Sequence, residues 1–141
     1  RYGRTVFAEQ GGLLAARVQF DKGQADAAKA SLAWVADNAA EDEYRSVARL
    51  RLAGLQLDAK QYDAALKTLD AASAKPFAAL VADRRGDVLL AQGKTAEART
   101  AYQAAWKAMG DKVDYRRLVE AKLTALGAPP EPALPAVGAA K

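Results

Sequence analysis

Three stretches of the chain repeat one pattern: GQADAAKASLAWV (23–35), KQYDAALKTLDAA (60–72) and GKTAEARTAYQAA (93–105). Each follows a helical run that carries a small residue at a matching place, Ala16, Ala53 and Gly86. Aligning Ala28, Ala65 and Ala98 gives periods of 37 and 33 residues, the length of a helical hairpin in a stacked array. Such a hairpin cannot bury its apolar face alone, so neighbours stack into a continuous core and build a curved surface of the kind that binds partners.

Composition agrees with thin, closely packed helices. Hydrophobic residues make up 51% of the 141-residue chain while aromatics are 7%, and alanine supplies about a quarter. Alanine is the best helix former and lets helices approach closely. The length suits one domain with a real core. Lys and Arg number 21 against 17 Asp and Glu, a formal charge of +4. That excess is small and dispersed; Arg45, Arg49 and Arg51 sit beside Glu41, Asp42 and Glu43, which reads as a salt-bridged, solvated face and gives no nucleic-acid footprint. No cysteine is present, so disulfides and thiolate metal sites are excluded. The chain starts at Arg1 and holds no apolar run near the roughly 18 residues of a membrane span, so an anchoring or targeting segment is expected upstream.

Apolar spacing predicts seven helices. The first runs from about Thr5 to Asp21 with two apolar stripes, Phe7, Leu14 and Val18 on one and Leu13 and Phe20 on the other. Gly11 and Gly12 inside it imply a kink or a very close crossing. The others span about Gln24 to Asp37, Asp42 to Asp58, Tyr62 to Ala72, Pro76 to Ala91, Thr95 to Met109 and Tyr115 to Leu126. Pro76 suits a helix start, where the missing amide hydrogen has no intrahelical partner. The last helix has no hairpin partner and is expected to cover the end of the array. Residues 1–127 form the repeat domain and 128–141, APPEPALPAVGAAK, an extended tail with polyproline character.

Little in the sequence points to chemistry. Histidine is absent as well as cysteine, which removes the commonest general base and metal ligand. Asp83 and Asp87 share a helix face but adjoin Arg84 and Arg85, and two helical carboxylates are too few ligands for a calcium or magnesium site. No Gly-rich phosphate loop is present, because Gly11 and Gly12 lack its spacing and its preceding strand. The reading is a non-enzymatic protein with no catalytic residue, no metal and no cofactor.

These residues resemble the 34-residue tetratricopeptide repeat. Ala16, Ala53 and Gly86 match its small residue at position eight, Ala28, Ala65 and Ala98 that at position twenty, and Leu32, Leu69 and Tyr102 the large apolar residue at twenty-four. Gly23 and Gly93 match the glycine between the helices, with Lys60 in its place in the middle repeat. The chain departs from the pattern where Gly12, Arg49 and Ala82 replace an aromatic, and where Gln19, Gln56 and Leu89 replace a tyrosine. RLRLAGLQLDAKQYDAALKTLD (49–70) and VADRRGDVLLAQGKTAEARTAY (81–102) are similar to the YfgM family of bacterial periplasmic repeat proteins, over about Phe7 to Leu126.

The resemblance implies an all-α, tetratricopeptide-like right-handed solenoid of three hairpins plus a C-terminal capping helix. It further implies a single-pass anchor upstream, a place on the periplasmic side of the bacterial inner membrane, and work as an ancillary subunit of the Sec translocon. Its partners would be translocon components and periplasmic chaperones, with no nucleic acid and with self-association open. By alignment the concave, partner-binding face carries Leu13, Arg17 and Phe20, then Leu50, Gly54 and Leu57, then Leu80, Asp83 and Asp87. An exposed leucine strip there would mark an interaction site, with Gly54 leaving room and Arg17, Asp83 and Asp87 setting register. The alternative is a structural adaptor whose groove is filled and which works through self-association or its convex face.

Overall fold

In the computed structural model, residues 6–110 and 113–130 are described, with side chains for 8–110 and 114–130. Among these residues seven α-helices occur and no strand: α1 (Val6–Asp21), α2 (Ala25–Asn38), α3 (Asp42–Asp58), α4 (Tyr62–Ala71), α5 (Ala78–Ala91), α6 (Thr95–Ala108) and α7 (Val113–Ala125). Each helix packs on its neighbours in the chain, and α3 also touches α5. This is an all-α, tetratricopeptide-like solenoid of three hairpins, α1–α2, α3–α4 and α5–α6, followed by α7. The expected start at Thr5 and the tail from residue 131 onward lie outside the described residues.

The repeated sequence produces a repeated backbone. Each hairpin turns through a residue in the left-handed region: Gly23 at φ 76°, Lys60 at φ 60° and Gly93 at φ 79°. Around each, the same two hydrogen bonds close the helix end. In the first hairpin the Gly23 amide donates to Phe20 O and the Gln24 amide to Gln19 O; Lys60 and Gln61, then Gly93 and Lys94, do likewise. This double bond satisfies carbonyls that a helix end otherwise leaves open. Lys60 therefore takes glycine's conformation as well as its place, at a steric cost of about 1 kcal/mol. Gly127, at φ 72°, ends α7 the same way.

The core is divided along the array. One cluster centres on Ala28, Leu32 and Val35, a second on Ala53, Ala65, Leu69 and Val88, and a third on Ala98, Tyr102, Ala105, Val119 and Leu123. The alanines at the matched places are fully buried where helices cross. A methyl group added at Gly86 would overlap the Tyr102 ring, and one at Gly12 would come within 2.5 Å of Val35 Cγ2. Gly12 thus serves the close crossing of α1 on α2, whereas Gly11 has open space around it.

Two departures from the tetratricopeptide pattern have polar explanations. The Gln19 amide end lies 2.7 Å from Ser31 Oγ, and the Gln56 amide 2.7 Å from Thr68 Oγ1, one hydrogen bond repeated in successive hairpins. In the third hairpin Leu89 and Ala101 occupy those places, and both are buried. Arg49 donates to the carbonyls of Ala36 (3.1 Å) and Ala71 (2.9 Å), tying together the last turns of α2 and α4, where a cation also meets the helix dipole favourably.

The expected ionic face near α3 is therefore corrected in part. Arg45 pairs with Asp42 at 3.3 Å, but Arg49 serves carbonyls and Arg51 turns to the concave side. The fifth helix also starts later than expected. Pro76 sits in a 3₁₀ turn, Lys75–Phe77, closed by the Phe77 amide on Ala74 O, and α5 follows from Ala78. One unanticipated buried carboxylate, Glu9, reaches from α1 to accept the Ala40 amide at 2.6 Å and so fixes the end of α2.

Candidate functional site: a concave groove

The first helices of the first two hairpins enclose an open hollow of about 470 Å³. Leu13, Arg17 and Phe20 of α1 form one wall and Leu50, Gly54 and Leu57 of α3 the other, with Leu32 of α2 at the floor. A second hollow of about 310 Å³ adjoins it, lined by Val47 and Leu50 of α3, Leu80 of α5 and Tyr115 of α7. Both share Leu50, Arg51 and Arg84, so they form one groove along the concave face.

The leucines do double duty. Leu13 packs on the first core cluster, and Leu50 and Leu57 on the second, while each presents its outer side to the groove. Phe20 stands 49% exposed at the rim, a large apolar surface left to water. A methyl group at Gly54 would meet nothing within 4 Å, which shows that its missing side chain leaves real space. Seven of the nine residues singled out by alignment thus line the groove: Leu13, Arg17, Phe20, Leu50, Gly54, Leu57 and Leu80.

Asp83 and Asp87 do not, and their expected role at the polar end of the groove needs correcting. Asp83 is 1% exposed beneath α7. It accepts from Tyr115 Oη at 2.7 Å and Lys122 Nζ at 2.9 Å. Asp87 accepts from Tyr102 Oη at 2.6 Å and pairs with Lys122 Nζ at 3.0 Å. Lys122 is also 5.5 Å from the centre of the Tyr102 ring. The two carboxylates are the anchor of the capping helix, because a buried charge is tolerable only when paired and hydrogen-bonded. Burial, then the hydrogen bond to Asp87 and the charges of Asp87 and Asp83, pushes the Tyr102 phenol well above its ordinary value. Tyr115 moves the same way, through burial first and then Asp83.

Sequence reasoning missed Lys122 and Tyr115 as partners of this pair, since contacts from α5 to α7 span more than thirty residues and carry no local signal, and it read Tyr102 on α6 only as an apolar packing residue. It also missed Arg51 and Arg84 as groove residues. A signal existed there: they stand 33 residues apart, one repeat period. Among the described residues no group of three or more Asp, Glu, His or Cys side chains is placed to hold a metal ion, and no helix is long and apolar enough to cross a membrane.

Comparison with known proteins adds the family. The tetratricopeptide repeat-like domain family matches residues 1–128. A Neisseria gonorrhoeae (strain ATCC 700825 / FA 1090) protein named ancillary SecYEG translocon subunit is 36% identical over 125 residues, 89% of this chain and 60% of that protein. An Escherichia coli (strain K12) protein of the same name is 41% identical over 87 residues, 62% of this chain and 42% of that protein. The chain thus spans 60% or less of the length of these relatives. No solved structure matches it significantly. The repeated hairpins, the matched small residues and these relatives agree: the chain belongs to the tetratricopeptide repeat-like domain family, in its YfgM-like branch.

Proposed function

We propose that this repeat domain is a non-enzymatic protein-binding module that holds a segment of a partner in its concave groove. The observation that carries this reading is the open apolar hollow between α1 and α3, widened by Gly54 and edged by the exposed Phe20. Wide apolar surface left uncovered by a chain's own packing marks an interaction site. The relatives named as ancillary SecYEG translocon subunits support a setting beside the translocon; the reading adds the periplasmic side of the inner membrane and an anchor upstream. In that setting translocon components and periplasmic chaperones are the partners, and envelope proteins in transit the clients.

The outer face of α1 favours a second reading, an adaptor that docks away from the groove or on another copy. Leu14 and Val18, 63% and 42% exposed, form an apolar pair there. Photo-crosslinking in intact cells from Leu50 and from the exposed Asp63 on α4 separates the two. Adducts from Leu50 to a translocon or chaperone protein are expected, with none from Asp63. Partner affinity unchanged by Leu50→Asp with Leu57→Asp in a folded protein would sink the groove reading. Gly54→Phe, which fills the hollow without displacing the core, makes the same test if the leucine pair disrupts folding.

A further inference from the structure

The groove is not purely apolar. Arg17 from α1, Arg51 from α3 and Arg84 from α5 all line the larger hollow, and Arg51 and Arg84 line the adjoining one as well. All three are exposed. Among the described residues the side chains of Arg17 and Arg51 take part in no hydrogen bond or ion pair, and Arg84 only approaches Asp87 at 3.9 Å, a carboxylate already held by Lys122 and Tyr102. Asp58 is the acidic residue of the larger hollow's lining. Among the described residues most arginines elsewhere are occupied: Arg45 by Asp42, Arg49 by the Ala36 and Ala71 carbonyls, Arg85 by Asp70, Arg99 by the Leu126 carbonyl and Arg116 by the Trp106 ring, with Arg117 on α7 the exception. The guanidinium groups along the groove are free to offer their forked donors to something else, and that fork matches a carboxylate.

We propose that the occupant of the groove is an acidic peptide segment. A bulky apolar side chain enters the hollow over Gly54, neighbouring Asp or Glu side chains pair with Arg51 and Arg84, and Arg17 engages the opposite rim. This rests on the groove reading above and adds the chemistry of what it holds. Apolar burial supplies affinity, and the arginines select charge, orientation and register. Because Arg51 and Arg84 hold one place in successive hairpins, the repeat itself sets their spacing along the groove.

Selection from a random 12-residue peptide library displayed on phage, against the immobilised 141-residue chain, tests this. Enriched peptides are expected to carry Leu, Phe or Trp beside two or more acidic residues. A synthetic copy should lose at least tenfold in affinity when its Asp and Glu become Asn and Gln. It should lose as much against Arg51→Glu with Arg84→Glu, and nothing against Lys67→Glu with Lys107→Glu, which makes the same change of net charge off the groove. Enrichment of neutral or basic apolar peptides that still depend on Leu50, Leu57 and Gly54 overturns the acidic occupant and leaves the groove reading standing. Acidic peptides that bind the double arginine variant as well as the parent overturn it equally. No enrichment over bare support removes both readings. A dimer in sedimentation that needs Arg51 and Arg84, with no peptide enriched, puts a second copy in the groove and also overturns the proposal.

Discussion

Leu13, Leu50 and Asp83 hold one place in three successive hairpins, and Arg17, Gly54 and Asp87 another. In the first two hairpins these residues border an open hollow. In the third they are covered by α7, whose Lys122 and Tyr115 reach them directly. One structural position thus serves binding surface at one end of the array and anchors the closing helix at the other. The difference follows from what arrives next. Where a polar, hydrogen-bonding helix docks, carboxylates are useful; where none of the described helices docks, leucines remain partly uncovered.

The comparison breaks first at Asp83. Asp83→Leu gives the third hairpin the residue of the other two and leaves Lys122 and Tyr115 facing an apolar side chain. Stability is expected to fall by about 3 kcal/mol, the low end for removing one partner of a buried ion pair, because Lys122 keeps Asp87 at 3.0 Å. Urea denaturation measures the loss, and hydrogen exchange should show α7 opening before the rest. An α7 as protected as in the parent would show that apolar packing of Val119 and Leu123 alone holds it.

Two glycines sharpen the contrast with opposite signs. Gly86→Ala pushes a methyl into the Tyr102 ring and should destabilise by about 1–3 kcal/mol. Gly54→Ala meets nothing and removes the flexibility of a mid-helix glycine, so a gain of about 0.5–1 kcal/mol is expected. Thermal melts of both variants decide it. Shifts of opposite sign would show that the third hairpin is packed tightly where the second keeps room for a ligand.

A comparably small effect at neutral pH concerns the phenols. Tyr115→Phe should cost about 1 kcal/mol there, the worth of one hydrogen bond. Both tyrosines have folded values raised above the unfolded value of about 10, so their contribution is fully present below pH 10 and drains away as pH rises through the folded values. Above pH 10 the parent should lose stability more steeply than Tyr115→Phe. Parallel slopes would mean that the phenol at position 115 is not protected by burial and Asp83.

Sequence alone determined the helices, the hairpin period and most of the groove. Helical periodicity and turn chemistry are local, so α3 spans Asp42–Asp58 as expected and the Gly23, Lys60 and Gly93 turns fall where the alignment puts them. Seven of the nine aligned concave residues line the hollow because repeats transmit geometry from one hairpin to the next. Tertiary structure decided the rest. Whether Asp83 faces solvent or lies under α7, and whether Arg51 and Arg84 meet across a cavity, depends on how helices distant in the chain come to rest against each other. Packing across that distance leaves no pattern at a helix's own period, so only the folded array could show which end of the concave face is closed and which is open.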